Sequence, residues 1–227
     1  MAFGIPHLKR LPHSFYLRPT PRVAKDLLGK YIVRTFRGKK LIGKIVETEA
    51  YCTGDPAAHS FRGKTNRNAV MFGNCGHLYV YFTYGMHWCA NVVTQGLGVG
   101  EAVLIRAVEP IKGVEAMNRN RRTNKGTKKQ RTGKISPQHP RSPASWLTNG
   151  PAKFCQAFGI TGKENGTDLR GNTVYIATGE TIPPSNIKHS SRIGITVGME
   201  KQWRFFVKGN PWVSRLQIYD AFLSARS

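Results

Sequence analysis

The sequence predicts an α+β fold: a single domain with a mostly antiparallel, curved β-sheet core flanked by short helices. Three observations carry that expectation. Segments of strand character outnumber helical ones, consecutive strands are joined by short connections, and 227 residues suffice to bury a full core. No internal repeat is evident, and the 40% hydrophobic content is ordinary for a globular chain.

Taken in order, residues 1–21 carry Pro6, Pro12, Pro19 and Pro21 and read as a Pro-rich N-terminal arm on the surface, ahead of a domain spanning 22–227. Arg22–Lys30 reads as a short helix with Gly29 near its C-terminal end. "YIVRTF" and "LIGKIVETEAY", split by "RGKK", read as a hairpin. A loop-rich stretch runs from Cys52 to Cys75. A second strand group follows: "HLYVYFTY", a turn at Gly85, "HWCANVVTQ" and "EAVLIRAVEP". Pro110 sits at a helix-start position and predicts a helix over Ile111–Arg122. From Asn118 to Trp146 the chain is rich in Lys, Arg, Thr, Ser and Pro and holds no acid, so 118–146 is expected to be a flexible basic loop. "NGPAKFCQAFGI" opens another helix, with Asn149 as cap and Pro151 in the first turn. The stretch from Ser190 to Ser214 is expected to give two more strands.

Charge sets the partner class. The chain has 35 Lys and Arg against 12 Asp and Glu, a formal net charge of +23. Such a balance predicts a polyanion partner, because each phosphate neutralised by a basic side chain releases counterions. Nucleic acid is favoured over a membrane surface, since no basic amphipathic helix with an aromatic face is visible. No window reaches the roughly 18 consecutive apolar residues that a span requires, and the N-terminus lacks a signal-type apolar core. An intracellular protein is expected: cytoplasm or nucleoid in a bacterium, nucleus in a eukaryote. Cys52, Cys75, Cys89 and Cys155 are widely spaced, which argues against a disulfide framework or zinc ribbon. Cys75 and His77 form only half a metal site, so no metal is expected.

Within this acid-poor chain, "VETEAY" places Glu47 and Glu49 two apart on a strand, on one face with Ile45 and Tyr51. Neither face is cleanly polar, so at least one carboxylate is partly buried. A buried carboxylate requires a partner or a use. A salt bridge to one of the many arginines accounts for either acid alone; beside a phosphate-binding surface, a general base that activates water is the economical alternative. In "HLYVYFTYGMHWCAN", Tyr79 reads as a core residue. Tyr84 precedes Gly85 at the turn and is either an ordinary turn tyrosine or a wedge between stacked bases.

"VETEAY", "AAHSFRG", "RNAVMF", "LYVYFTYGMHWCAN", "VLIRAVEP", "NGPAKFCQAFGI" and "KGNPWVS" occur in this order between about Arg22 and Ser214. Together they closely resemble the alkyladenine (3-methyladenine, methylpurine) DNA glycosylase family. The resemblance implies an enzyme that flips a damaged purine out of double-stranded DNA and hydrolyses its N-glycosidic bond, without a cofactor and as a monomer. It implies that Glu49 deprotonates the attacking water and that Arg106 helps hold both. Tyr51, His59 and Tyr81 match the residues that sandwich the flipped base, Asn91 the position that crowds the exocyclic amino group of guanine, and Tyr84 the residue that fills the gap in the duplex. Arg67 and Asn68 are candidate DNA contacts, Arg67 to the backbone, or loop braces; Lys153 matches a DNA backbone candidate, and Glu47 is structural. Asn66, Phe61 and Trp88 depart from the residues common in relatives, which bears on local loop rigidity. The basic loop either adds non-specific affinity or is a solvated insertion.

Other chemistries fit poorly. The H-x-E and P-C-x-x-C strings of a zinc deaminase are missing. "GLGVGE" has the wrong glycine spacing for a dinucleotide loop. Neighbouring in-strand acids do not flank a sugar bond from opposite faces, as a carbohydrate glycosidase requires. A non-catalytic, basic nucleic-acid-binding module is the alternative that charge alone supports.

Overall fold

The computed structural model describes residues 8–123 and 147–214. Eight strands form one curled antiparallel sheet with short helices packed on it, the α+β architecture expected. The strands are β1 (Tyr31–Phe36), β2 (Lys39–Tyr51), β3 (Leu78–Thr83), β4 (His87–Thr94), β5 (Glu101–Lys112), β6 (Val174–Ala177), β7 (Ile187–Ser190) and β8 (Arg204–Val207). Their order is β3-β4-β5-β2-β1-β6, with β8 also paired to β2 and β7 to β8. The helices are α1 (His13–Tyr16), α2 (Thr20–Asp26), α3 (Val114–Thr123) and α4 (Pro151–Phe158). Among the described residues no helix is long and apolar enough to cross a membrane.

The 13-residue strand β2 is the axis of the sheet. Its N-terminal half pairs with β1, and Glu47–Glu49 pair with β8 along that same edge; β5 covers the other edge. A strand flanked on both edges and packed on both faces has no polar side, which is why its sequence shows no clean alternation. The β1–β2 turn is two residues long. Arg37 and Gly38 both have positive φ, at 47° and 72°, the geometry that matches the twist of a tight hairpin.

The core lies between the sheet and α1, α2 and α4, where Tyr16, Leu27, Ile45, Ile105, Phe154 and Phe158 are fully buried. A smaller cluster of Met71, Tyr79, Val93 and Ala102, with Tyr81 packed against it, underlies one end of the sheet. Gly159 ends α4 in the left-handed region at φ 65°, where a Cβ would sit 2.9 Å from the Phe36 ring.

Several expectations fail for identifiable reasons. The Pro-rich arm does not simply lie on the surface: Leu11, Tyr16 and Thr20 are buried, and α2 begins at Thr20 rather than Arg22. Proline at the first helical positions explains that earlier start. Pro110 does not start a helix. It lies near the end of β5 opposite Gly43, beside a register shift, where a missing N–H is tolerated. The helix begins instead after Gly113, whose φ of 84° makes the turn.

Residues 118–123, assigned to the basic loop, continue α3, where Asn120 donates to the Ala157 carbonyl at 2.9 Å and Arg121 bonds Gln156 on α4. The rest of that loop, and residues 1–7 of the arm, lie outside the described residues. Asn149 does not cap α4; Gly150 holds the cap position, and Asn149 bridges to Ala107. Of the two strands expected between Ser190 and Ser214 only β8 lies within that stretch; β7 precedes it and β6 had no prediction.

Candidate active site

Sheet register collects residues that the sequence scatters. Tyr79 on β3 lies opposite Asn91 on β4, Asn91 opposite Leu104 on β5, and Leu104 opposite Glu49 on β2. Directly opposed residues of antiparallel strands share a face, and so do residues two apart on one strand. Tyr79, Tyr81, Asn91, Glu49 and Tyr51 therefore face the same way. Arg106 joins them by a different device. Glu47 opposes Ala107 and Thr48 opposes Ile105, so Arg106 is the extra residue of a β-bulge. A bulge re-aims its side chain, and here the guanidinium points back across β2 to both acids.

Both carboxylates are completely buried. Glu47 is the more heavily bonded. Its Oε1 accepts from Arg106 Nε at 3.1 Å, Arg204 Nε at 2.7 Å and Ser214 Oγ at 2.7 Å, and its Oε2 accepts from the Ser214 N–H at 2.7 Å. Four bonds, three of them on Oε1, tie Glu47 into the sheet. Glu49 is held more lightly. Its Oε1 accepts from the Ile193 N–H at 2.8 Å, and its Oε2 accepts from Tyr51 Oη at 2.9 Å and pairs with Arg106 Nη1 at 3.2 Å.

The charges around Glu49 are set by burial. Burial disfavours the charged form of Arg106, but Glu49 and Glu47 more than offset this and push its affinity for the proton up. Burial, and then the charge of Glu49, hold the Tyr51 hydroxyl well above the ordinary phenol range, so it remains a donor to the carboxylate. Burial likewise raises Tyr81, with Cys89 adding to the effect, and pushes Tyr79 up to about 12.

His59 and Tyr81 meet edge to face with ring centroids 4.4 Å apart, and His59 Nδ1 lies 3.0 Å from Tyr79 Oη. The His59 ring thus presents one side to solvent while its inner side packs on two tyrosines. That partial burial, with Arg67 nearby, holds its imidazole below the ordinary value. Asn68 braces the loop beneath by donating to the carbonyls of His59 at 2.8 Å and Gly63 at 3.0 Å. Among the described residues the Tyr51 ring touches neither His59 nor Tyr81; an Arg192 guanidinium lies over it instead, 4.7 Å from the centroid. Asn91, almost fully buried, donates to the Tyr79 carbonyl at 3.1 Å and so keeps its amide in a fixed orientation. A cleft of about 350 Å³ flanks His59 and Tyr79 and is lined also by Phe61, Arg62 and Arg67; Glu49 does not line it.

Of the remaining predicted residues, Arg67 borders this group, its guanidinium 5.8 Å from the Tyr81 ring centroid, while Tyr84 and Lys153 stand apart from it. Tyr84 is 81% exposed at the tip of the β3–β4 hairpin, with φ at 51°. An exposed ring on a strained left-handed residue has no packing role to justify it. Arg67 donates to the Phe82 carbonyl at 3.0 Å and ties the loop to β3. Lys153, in the first turn of α4, donates to Asn149 Oδ1 at 2.8 Å; burial and then Arg121 lower its proton affinity.

Sequence reasoning missed Tyr79, which anchors His59 through its hydroxyl, together with Arg204, Ser214, Asp55, Arg192 and the Ile193 amide. An arginine among 35 basic residues carries no signal, and a backbone N–H carries none at all. "KGNPWVS" supplied the one clue, since it ends on Ser214.

Comparison with known proteins places the chain in a family. The methylpurine-DNA glycosylase family profile matches residues 14–211. A provisionally named 3-methyladenine DNA glycosylase of Carboxydothermus hydrogenoformans is 49% identical over 206 residues, covering 90% of this chain and 98% of that protein. Proteins given the same provisional name in Methanoculleus marisnigri and Chlorobaculum tepidum are 46% and 42% identical, over 90% and 92% of this chain and 98% and 93% of their own. With the match running from α1 to the loop after β8 and taking in every residue that bonds Glu49, the chain belongs to the methylpurine-DNA glycosylase family.

Proposed function

We propose that this protein is a monofunctional DNA repair glycosylase. It acts on damaged purines of the 3-methyladenine, 7-methylguanine, hypoxanthine and ethenoadenine class in double-stranded DNA. The observation that carries the reading is a fully buried carboxylate, Glu49, oriented by Tyr51, Arg106 and the Ile193 amide beside an aromatic wall, in a chain of net charge +23.

In this reading the damaged nucleotide leaves the stack and its base enters between Tyr51 on one side and the His59–Tyr81 pair on the other. Stacking on aromatic faces contributes on the order of 1–3 kcal/mol per base and tolerates many base shapes. Asn91, fixed by the Tyr79 carbonyl, crowds an exocyclic amino group and disfavours guanine. Tyr84 fills the vacated position in the duplex. As the C1′–N bond breaks, the purine takes the bonding electrons and positive charge builds on the deoxyribose. Glu49 stabilises that charge and takes a proton from the water that attacks C1′, and the low-polarity surroundings strengthen the interaction. A purine alkylated at N3 or N7 carries positive charge before cleavage and departs neutral. The products are the free base and an abasic site. Arg67 and Lys153 contact the DNA backbone, and the protein acts as a monomer without a cofactor.

The test is chromatography of bases released from methylated DNA and from a hypoxanthine-containing duplex. The parent releases free base; Glu49→Gln binds the same duplex and releases none. Undiminished turnover by Glu49→Gln would end the assignment. Binding indifferent to lesions, with no base released by the parent, would instead identify a non-catalytic module.

A further inference from the structure

Outside the side chains that Glu49 touches, the most completely buried ion pair is Asp55–Arg192, in which neither side chain is exposed. Arg192 Nη1 and Nη2 both bond the Asp55 carboxylate, Nη2 at 2.9 Å. The same guanidinium donates to the Ala50 carbonyl and to the Gly198 carbonyl, each at 3.1 Å, and lies over the rings of Tyr51 at 4.7 Å and Trp203 at 5.4 Å. Gly198 admits this packing: a Cβ there would lie 2.9 Å from Asp55 Oδ1 and 3.1 Å from Arg192 Nη2.

Buried ion pairs contribute little net stability compared with an apolar pair of similar volume. What a planar, multiply donating cation supplies here is direction. Arg192 fixes the backbone between Glu49 and Tyr51 through Ala50 and presses on one face of the Tyr51 ring. It is followed in the chain by Ile193, whose N–H donates to Glu49 at 2.8 Å. Asp55 reaches the other wall. Its Oδ1 accepts from the Ala57 N–H at 3.2 Å and its carbonyl from the Ala58 N–H at 2.9 Å, closing the turn that delivers His59. One ion pair therefore joins the Tyr51 side of the site, the His59 side and the carboxylate between them.

We infer that the Asp55–Arg192 pair is a positioning clamp that sets the spacing of the two aromatic walls and holds the Ile193 amide on Glu49. This inference rests on the glycosylase reading for its catalytic consequence, but its structural content is measurable without turnover. The charged and titratable groups facing Glu49 are Tyr51 on β2, Arg106 on β5, Tyr81 on β3, Cys89 on β4 and Arg192 itself, with Glu47 sharing Arg106.

The experiment follows the Ile193 amide proton resonance at fixed pH in the ¹⁵N-labelled full chain, for the parent, Glu49→Gln, Arg192→Lys and Asp55→Asn. In the parent the bond to the Glu49 side chain holds that resonance downfield, and Glu49→Gln moves it upfield. In Arg192→Lys and Asp55→Asn it moves upfield with Glu49 still in place. Single-turnover excision of hypoxanthine falls about ten-fold or more in both variants, the loss expected for a hydrogen bond to a charged group, while duplex affinity stays within about two-fold. Asp55→Asn preserves side-chain shape and carries the test if Arg192→Lys does not fold. A folded variant whose Ile193 amide resonance matches the parent's overturns the clamp. A parent that releases no base, with Ile193 behaving as stated, defeats the glycosylase reading and leaves the clamp standing.

Discussion

Replacing Glu47 by Gln keeps the side-chain shape and removes one charge from the centre of the sheet. In the native protein Glu47 Oε1 takes guanidinium N–H groups from Arg106 and Arg204 together with the Ser214 hydroxyl, and Oε2 takes the Ser214 N–H. A hydrogen bond to a charged group contributes about 1.5–3 kcal/mol and a neutral one about 0.5–1.5 kcal/mol, so weakening the two guanidinium bonds removes about 2–3 kcal/mol. The amide also sets its own N–H₂ against the Ser214 N–H, leaving a buried donor unsatisfied at a cost of about 1–3 kcal/mol. Arg106 keeps Glu49 as a partner, whereas Arg204 loses its only ion pair among the described residues. The total, about 3–6 kcal/mol, overlaps the roughly 3–5 kcal/mol typical when one member of a buried pair is removed. For a chain of this size each kcal/mol lowers Tm by roughly 2–4 °C, so a fall of at least about 6 °C is expected. Thermal unfolding followed by circular dichroism, with the urea midpoint as a second measure, checks it. A fall smaller than about 2 °C would show that Glu47 is not the organising acid of the sheet.

Three further outcomes follow from the same geometry. Tyr51→Phe keeps the stacking ring but deletes the donor to Glu49 Oε2, so single-turnover excision should drop about ten-fold or more with duplex affinity unchanged. Tyr84→Ala removes a side chain that is 81% exposed; Tm should stay within about 1 °C, while gel-shift affinity for a lesion duplex, and not for undamaged DNA, declines. At Glu164, burial favours the neutral carboxyl, but the bonds from Arg34 and Thr161 outweigh it and hold the group below its ordinary value of 4.5. A depressed carboxylate stabilises the fold above that value and loses the contribution as pH falls through the folded value. Urea midpoints of the parent should therefore decline below about pH 4.5 more steeply than those of Glu164→Gln.

Much of the architecture is legible in the chain because strands and turns are local. The "YIVRTF"–"LIGKIVETEAY" hairpin and the turn at Gly85 fall where apolar, β-branched runs and turn residues placed them. Element ends were less legible where proline had two uses. Pro110 serves as well near the end of a strand as at the start of a helix, and only its pairing opposite Gly43 distinguishes them. Four-residue strands such as β6 leave too few positions for a period to register. The burial of Tyr16 and Leu11 was invisible because a proline-rich composition describes stiffness and says nothing of what lies beneath.

The sequence by itself determined the α+β class, the polyanion partner implied by its charge, and the adjacent acids and aromatics that mark the family. These are properties of composition and of residues close along the chain. Tertiary structure alone decided which acid is the more heavily bonded, because that depends on Arg204, Ser214 and Ile193, more than 140 residues away from Glu47 and Glu49. It also decided the aim of Arg106, since a bulge exists only when two strands are laid side by side and one has a residue too many.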